Sequence, residues 1–279
     1  MTPAERVSEH VWRRPLPSRT LPPFDHINAY VVASNGVGVV IDPGSPGDAS
    51  LLALRDTLAQ AGVRLLKAVL LTHTHSDHVA GLSALLGEEE RCEVYVHPLE
   101  ADRLTLERPP LRLSDRRRLI VGDIAVQAVH TPGHSPGHLS FLVEPDRVAL
   151  VGDLVAGRGS IWVGLPEGDV SAYLASLERM RAVAPVVLAP GHGPTLRAAD
   201  AKLRQAGEHR QAREGQILDA LSTGPLALEA LRSRIYPNLP EASRDLAERS
   251  LLAHLAKLMR EMTVLHLGEG PAGPYALRR

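Results

Sequence analysis

The hydrophobic pattern alternates between two periods over the first two hundred residues and then settles into one. Residues 28–44, NAYVVASNGVGVVIDPG, read as two short apolar strands joined at Asn35-Gly36, a strong signal for a two-residue hairpin turn, and Asp42-Pro43-Gly44 ends the second strand. Over 48–61 the period becomes helical, with Leu51, Leu54, Leu58 and Ala61 on one face. LKAVLLTH (66–73) is a continuous apolar run of the kind shown by a strand buried on both faces. Strands follow at 93–97 and 124–130, then a hairpin over 139–153 turning at Pro145-Asp146, a helix over about 170–182 and a strand over 185–193. Strand-rich segments with interspersed helices in two comparable halves predict sheets packed at the centre with helices outside. The Gly-rich stretch 152–169 predicts a loop over the sheet edge.

From about residue 205 the texture is helical. His209–Ser222 and Leu226–Ile235 read as helices, and a longer one covers about 242–262, where Leu251, Leu252, Leu255, Leu258, Met259 and Met262 form an apolar stripe. Residues 263–279 look like a hairpin with a Gly/Pro tip. The pattern therefore predicts an α/β domain over 1–204 and a small winged-helix-like helical domain over 205–279.

Composition adds bounds. A chain of 279 residues with 44% hydrophobic and 23% charged residues is an ordinary globular protein with room for a substantial core. Net charge is −1, which gives the whole chain no electrostatic pull on nucleic acid or membranes. Cys92 is the single cysteine, so no intrachain disulfide forms and a reducing compartment is the natural setting. The N-terminal MTPAERVSEHVWRRPLP lacks the apolar core of a signal peptide, and no apolar run approaches the ~20 residues of a membrane span, so the expected location is cytoplasmic, with no membrane partner.

The chemistry concentrates in LLTHTHSDHVAG (70–81), where a buried strand gives way to His73, His75, Asp77 and His78 within six positions. A divalent ion needs several imidazoles and carboxylates converging on one point, which a single segment rarely supplies. Other strand ends carry the rest: His134 behind a Pro-Gly turn in HTPGHSPGH, Asp153 at the end of LVGD, and His192 behind another Pro-Gly in LAPGHG.

This order, H-x-H-x-D-H followed by H, D and H, resembles the metallo-beta-lactamase-fold hydrolases over roughly residues 10–200. The resemblance implies an αββα sandwich. It assigns His73, His75 and His134 to one metal, Asp77, His78 and His192 to a second, and Asp153 to a bridge between them. The implied cofactor is two divalent ions, zinc by default with manganese or iron able to substitute, and the implied chemistry is hydrolysis by a bridging hydroxide, with Asp77 and Asp153 as catalytic carboxylates. Asp42 looks like the family's supporting aspartate, behind a ligating imidazole. His130 and His138 flank His134 without matching a ligand position, and either a supporting or a packing role suits them. His97 reads as a strand-end histidine, Cys92 as a small core residue, and His26 either lines the site or fills its strand.

The C-terminal segment is similar to the winged helix of the beta-lactamase-like protein 2 subgroup, which implies endoribonuclease activity on single-stranded RNA. The alternative is thioester or ester hydrolysis of the hydroxyacylglutathione hydrolase type, which uses the same ligand set. True beta-lactamases fit worse because of Asp153, and a mononuclear iron dioxygenase fits worse because the dinuclear set is complete. Two roles stay open for the winged helix. It is either a lid or homodimer contact, or it binds RNA through Arg249, Lys257 and Arg260 on the polar back of the long helix. Its net charge of +3 (12 basic and 9 acidic residues over 201–279) is small for a nucleic-acid binder.

Overall fold

The computed structural model describes residues 2–89 and 91–278. Two sheets face each other. The first has strands β1 (Glu5–Arg6), β2 (Val11–Pro17), β3 (His26–Ser34), β4 (Val37–Ile41), β5 (Leu65–Leu70), β6 (Glu93–Val96) and β7 (Leu111–Arg112) in sequential order, antiparallel up to β4 and parallel beyond it. The second has β8 (Arg118–Val121), β9 (Ile124–His130), β10 (Leu139–Glu144), β11 (Val148–Gly152) and β12 (Val187–Pro190), antiparallel except for the β11–β12 pair. The β3–β4 turn at Asn35-Gly36 has φ of 54° and 78°, the left-handed pair that an Asn-Gly hairpin supplies cheaply.

Helices cover both outer faces, as the alternating pattern predicts. On the first sheet lie α1 (Asp48–Gln60), α2 (Ser76–Val79), α3 (Leu82–Leu86) and α4 (Pro98–Ala101); on the second lie α5 (Val170–Val183) and the start of α6 (Ala199–Ser222). Three apolar layers result. Val32, Ile41 and Leu70 meet Val126, Phe141 and Leu150 between the sheets; Leu54 and Leu85 pack under the first sheet; Tyr173, Leu177 and Met180 pack under the second. Burying a side chain such as Phe141 completely contributes about 1.5–3 kcal/mol.

Helix α6 runs unbroken across residue 204, where the sequence texture changes, into a smaller body made with α7 (Leu228–Ile235), α8 (Arg244–Arg260) and a three-stranded sheet of β13 (Leu226–Ala227), β15 (Pro274–Leu277) and β14 (Val264–His266). Its core joins Ile217, Leu221, Leu231, Leu251, Leu255, Leu258 and Tyr275. Sequence periodicity assigned Leu226 and Ala227 to the helix, but they pair with Tyr275 and Pro274 as a strand. Met262 was expected on the apolar stripe. It lies beyond the end of α8 at φ 60°, and it is exposed. No described helix is long and apolar enough to cross a membrane.

The two sheets are fastened together at one edge, where strand ends converge. Asn28 on β3 donates its side-chain amide to Pro190 O (2.9 Å) and Gly193 O (2.7 Å), and the Tyr30 hydroxyl donates to Pro190 O (2.8 Å). Leu139 N donates to Thr72 O across the sandwich at 2.7 Å.

Candidate metal centre

Each ligand-type side chain emerges where a strand stops. β5 ends at Leu70 and delivers Thr72, His73 and His75; the short α2 carries Asp77 and His78; the β9–β10 connection carries His134; β11 leads into Asp153 and β12 into His192. Because β4 and β5, and likewise β11 and β12, run parallel, these ends fall on the same side. The structure brings all seven sequence-predicted residues together. His73, His75 and His134 offer nitrogens within 4.8 Å of one another, as do the ligand atoms of His73, His78 and Asp153 and those of Asp77, His78 and His192.

Asp153 stands between the groups. Its Oδ2 lies 3.4 Å from His134 Nε2, while its Oδ1 lies 3.5 Å from both His78 Nε2 and His192 Nε2. Asp77 Oδ2 is 3.3 Å from His192 Nε2. On the other side, His75 Nδ1 meets His73 Nε2 at 3.0 Å and His134 Nε2 at 2.8 Å.

These atoms fit metal ions on two grounds. His78 Nε2 and Asp153 Oδ1 are buried and without a hydrogen-bond partner among the described residues, although each faces the other across 3.5 Å. A buried polar atom left unpaired costs about 1–3 kcal/mol, which a shared cation between them would offset. The electrostatics agree. Burial opposes a charge on His78, but Asp42 and Asp153 on either side outweigh it and draw its proton affinity well up, which marks a position that favours positive charge. Burial, reinforced by the neighbouring imidazoles, keeps His73 well below the ordinary histidine range, in the neutral form that ligates. Burial also pushes Asp77 upward, yet the His192 hydrogen bond and the His78 charge prevail and hold it at about 2. Asp153 is likewise held well below the carboxylate range against its burial, by His78 and His192.

A layer of hydrogen bonds aims these groups. Asp42, at φ 50° and 2% exposed, accepts from Thr72 N (2.8 Å), the Thr72 hydroxyl (2.7 Å) and His78 Nδ1 (2.7 Å), which is the supporting position the sequence suggested for it. His192 Nδ1 donates to His26 O at 3.0 Å, so His26 serves through its backbone while its ring pairs with Asp25. His134 Nδ1 donates to Trp162 O at 2.8 Å. His138 is buried; its Nε2 accepts from Asp153 N at 3.0 Å and its Nδ1 meets the Thr131 hydroxyl at 2.9 Å, so it positions the central aspartate rather than ligating. His130 stacks flat on His97, ring centroids 4.2 Å apart, away from the cluster. Cys92 is buried in the core and burial pushes its thiol up to about 11.

Sequence reasoning missed four contributors. Phe24 stacks on His192 at 5.3 Å. Glu167 faces His75 Nε2 at 3.4 Å and pairs with Arg103. Buried Glu100 accepts from the Thr74 hydroxyl and from Gly137 N. Trp162 ties the Gly-rich loop to the winged helix by donating from Nε1 to Leu246 O at 2.9 Å. None belongs to a motif; the signal for Glu100 and Glu167 was only an acidic residue in a region otherwise short of explanation.

A strand-end cluster of imidazoles and carboxylates at the edge of an αββα sandwich defines a metal-dependent hydrolase class, and the comparisons name it. Residues 22–192 match the metallo-beta-lactamase superfamily and 228–271 match the beta-lactamase-associated winged helix domain. The chain belongs to the metallo-beta-lactamase superfamily.

Among relatives, it is 28% identical over 240 residues to the lactamase-like protein vrtG of Penicillium aethiopicum, covering 83% of this chain and 74% of that one. It is 24% identical over 267 residues to the beta-lactamase-like protein 2 homolog of Caenorhabditis elegans (94% and 88%). It is 27% identical over 250 residues to an atrochrysone carboxyl ACP thioesterase of Aspergillus fumigatus (84% and 75%). Among solved structures, a metallo-beta-lactamase family protein of Thermus thermophilus superposes with a TM-score of 0.79 at 25% identity, covering 98% of this chain and all (100%) of that one. A shorter structure, described as a di-iron-bound form, superposes with a TM-score of 0.52 at 33% identity, covering 67% of this chain and 96% of its own.

Proposed function

We propose that the protein hydrolyses acyl thioesters at this centre, using two divalent ions. The observation that carries this reading is the pocket in which the cluster lies. About 710 Å³ in volume, it is lined by His75, Asp77, His134, Asp153 and His192 together with Leu21, Phe24, Ile161, Trp162, Leu239 and Leu246, apolar side chains suited to an acyl chain. The thioesterase among the relatives supports the same class.

RNA cleavage, implied by the resemblance of the tail, needs unpaired cations along a surface. Of the three that the sequence offered, Lys257 was expected on a solvated face but is buried between Glu214 (2.8 Å) and Glu261 (2.9 Å). Arg260 forks onto Asp169 at 2.6 and 2.9 Å, and Arg249 pairs with Asp245 at 2.9 Å. These three cations are committed to carboxylates. Arg19, Arg210 and Arg213, which are not among the described residues, line the pocket itself, an arrangement that suits a small substrate better than a strand running along the long helix.

When bound, two such ions would polarise the scissile carbonyl and lower the pKa of a water towards neutrality. The chain's own part is positional. His138 and Asp42 fix Asp153 and His78, Phe24 stacks on His192, and the Trp162 carbonyl holds His134. Zinc suits the mixed nitrogen and oxygen set, and manganese or iron would also fit.

The test is turnover by purified, metal-supplemented protein of an acyl-N-acetylcysteamine thioester, a 20-nucleotide single-stranded RNA and a chromogenic lactam. Preferential thioester hydrolysis is expected. RNA cleavage without thioester turnover would restore the endoribonuclease reading.

A further inference from the structure

We propose that the wall of this pocket contributed by α6 is an anion-binding subsite, built on Arg210 and Arg213 with Arg19 from the N-terminal loop, and that it recognises a charged group on the substrate away from the scissile bond. The proposal deepens the acyl-thioester reading and rests on it. All three arginines line the same pocket as the metal-ligand cluster. Among the described residues, none of the three has a carboxylate within ion-pair distance, in contrast to Lys257, Arg260 and Arg249 near by. Glu214, next to Arg213 in sequence, is turned to Lys257 and His254 instead.

Arg210 is the anchor. It is 4% exposed, its Nε has no partner among the described residues, and its other contacts are the Ile161 carbonyl and the face of Tyr173, 5.3 Å from guanidinium carbon to ring centroid. A guanidinium withdrawn from water with no counter-charge is costly unless a ligand supplies one. Arg213 is held over the Tyr236 ring at 4.3 Å, with Gln216 Oε1 at 2.7 Å, which fixes its fork without neutralising it. His209, on the same wall, is pushed down by burial and then by the charges of Arg210 and Arg213, as expected where positive potential stands uncompensated. Planar forks of this kind match carboxylate and phosphate oxygens. Metal ions at one end and guanidinium groups at the other would select molecules bearing both a thioester and an anion. The anion has two possible sources, a carboxylate at the far end of the acyl chain or a phosphate on the thiol carrier.

The experiment compares kcat/KM for three substrates: butyryl-N-acetylcysteamine (neutral), glutaryl-N-acetylcysteamine (carboxylate on the acyl chain) and butyryl-phosphopantetheine (phosphate on the carrier). Wild type should favour one charged substrate over the neutral one by about tenfold or more, the size of one charge-assisted hydrogen bond. Which one it favours identifies the source. In Arg213→Gln and Arg210→Lys that ratio should fall below about threefold; the half-buried Arg213 keeps the test valid if the Arg210 variant folds poorly. Equal rates on all three substrates in wild type, or a preference that survives both substitutions, overturns the subsite.

If no thioester is turned over at all, the acyl-thioester reading fails, and the subsite is then read by binding. Glutarate and its uncharged diamide, glutaramide, are titrated against Trp162 fluorescence in a Trp12→Phe background. Glutarate binding at least about tenfold tighter than glutaramide, with the gap lost in Arg213→Gln, sustains the subsite. Equal affinities, or a gap that Arg213→Gln leaves intact, reject it.

Discussion

Asp153 is the residue on which the two halves of the cluster depend, since its two oxygens face different imidazoles. Asp153→Ala should therefore reduce turnover by well over tenfold while leaving the fold intact, checked by steady-state kinetics beside circular dichroism. A variant keeping more than about a tenth of activity would have lost less than ~1.4 kcal/mol of barrier, too little for a shared ligand. Asp42→Asn probes the layer behind. Asn tolerates the φ of 50° and still accepts from Thr72, but it cannot place a negative charge on His78. Metal affinity should weaken about 10–100-fold, as measured by competition with a chelating dye. At this scale the sequence was informative wherever spacing encodes chemistry: all seven ligand-type residues and Asp42 stood in recognisable order. It was silent on which of its two open roles, supporting or packing, His138 takes, because a histidine flanking a ligand looks the same in sequence whether it positions the site or fills the loop. It was also silent on Arg210 and Arg213, because arginines at i and i+3 on a helix normally mark a solvated face.

At the scale of elements, the hairpins and helices were legible because turn chemistry and periodicity agreed, as at Asn35-Gly36 and over Asp48–Gln60. Strand β2 was not. VWRRPLP carries two prolines and two arginines, and its strand character comes from tertiary partners. Arg14 is buried there only because Thr57, Asp56 and Thr2 O receive its guanidinium. The site depends equally on how closely elements approach. Gly133, at φ 134°, lies so near α5 that a Cβ would sit 2.4 Å from Tyr173 Cα. Gly133→Ala should cost roughly 2–3 kcal/mol of stability, the upper range for overpacking, because backbone rather than a flexible side chain blocks it. Denaturant melts will show this, and a loss below about 1 kcal/mol would mean that α5 yields easily.

At the scale of the whole molecule, the winged helix is joined to the hydrolase body through the shared helix α6, through Arg260 on Asp169, and through Trp162, whose indole donates to Leu246 O while its own carbonyl accepts from His134. The sequence could identify such a domain but not that Arg260 would be spent on Asp169, since pairing across 91 positions leaves no local trace. One consequence is a shallow salt response. Between 50 and 200 mM salt, kcat/KM for a small thioester should fall by less than about tenfold, whereas a strand held by 6–10 phosphate contacts would lose ~10³ or more.

A hydrolase built on two ions should reveal its stoichiometry when zinc is titrated into chelator-stripped protein while thioester hydrolysis is followed. Turnover should be negligible without metal, rise with each addition and break at about two equivalents per chain, one ion for His73, His75 and His134 and one for Asp77, His78 and His192, with Asp153 facing both groups. Full activity without metal, or a break at one equivalent, would contradict it.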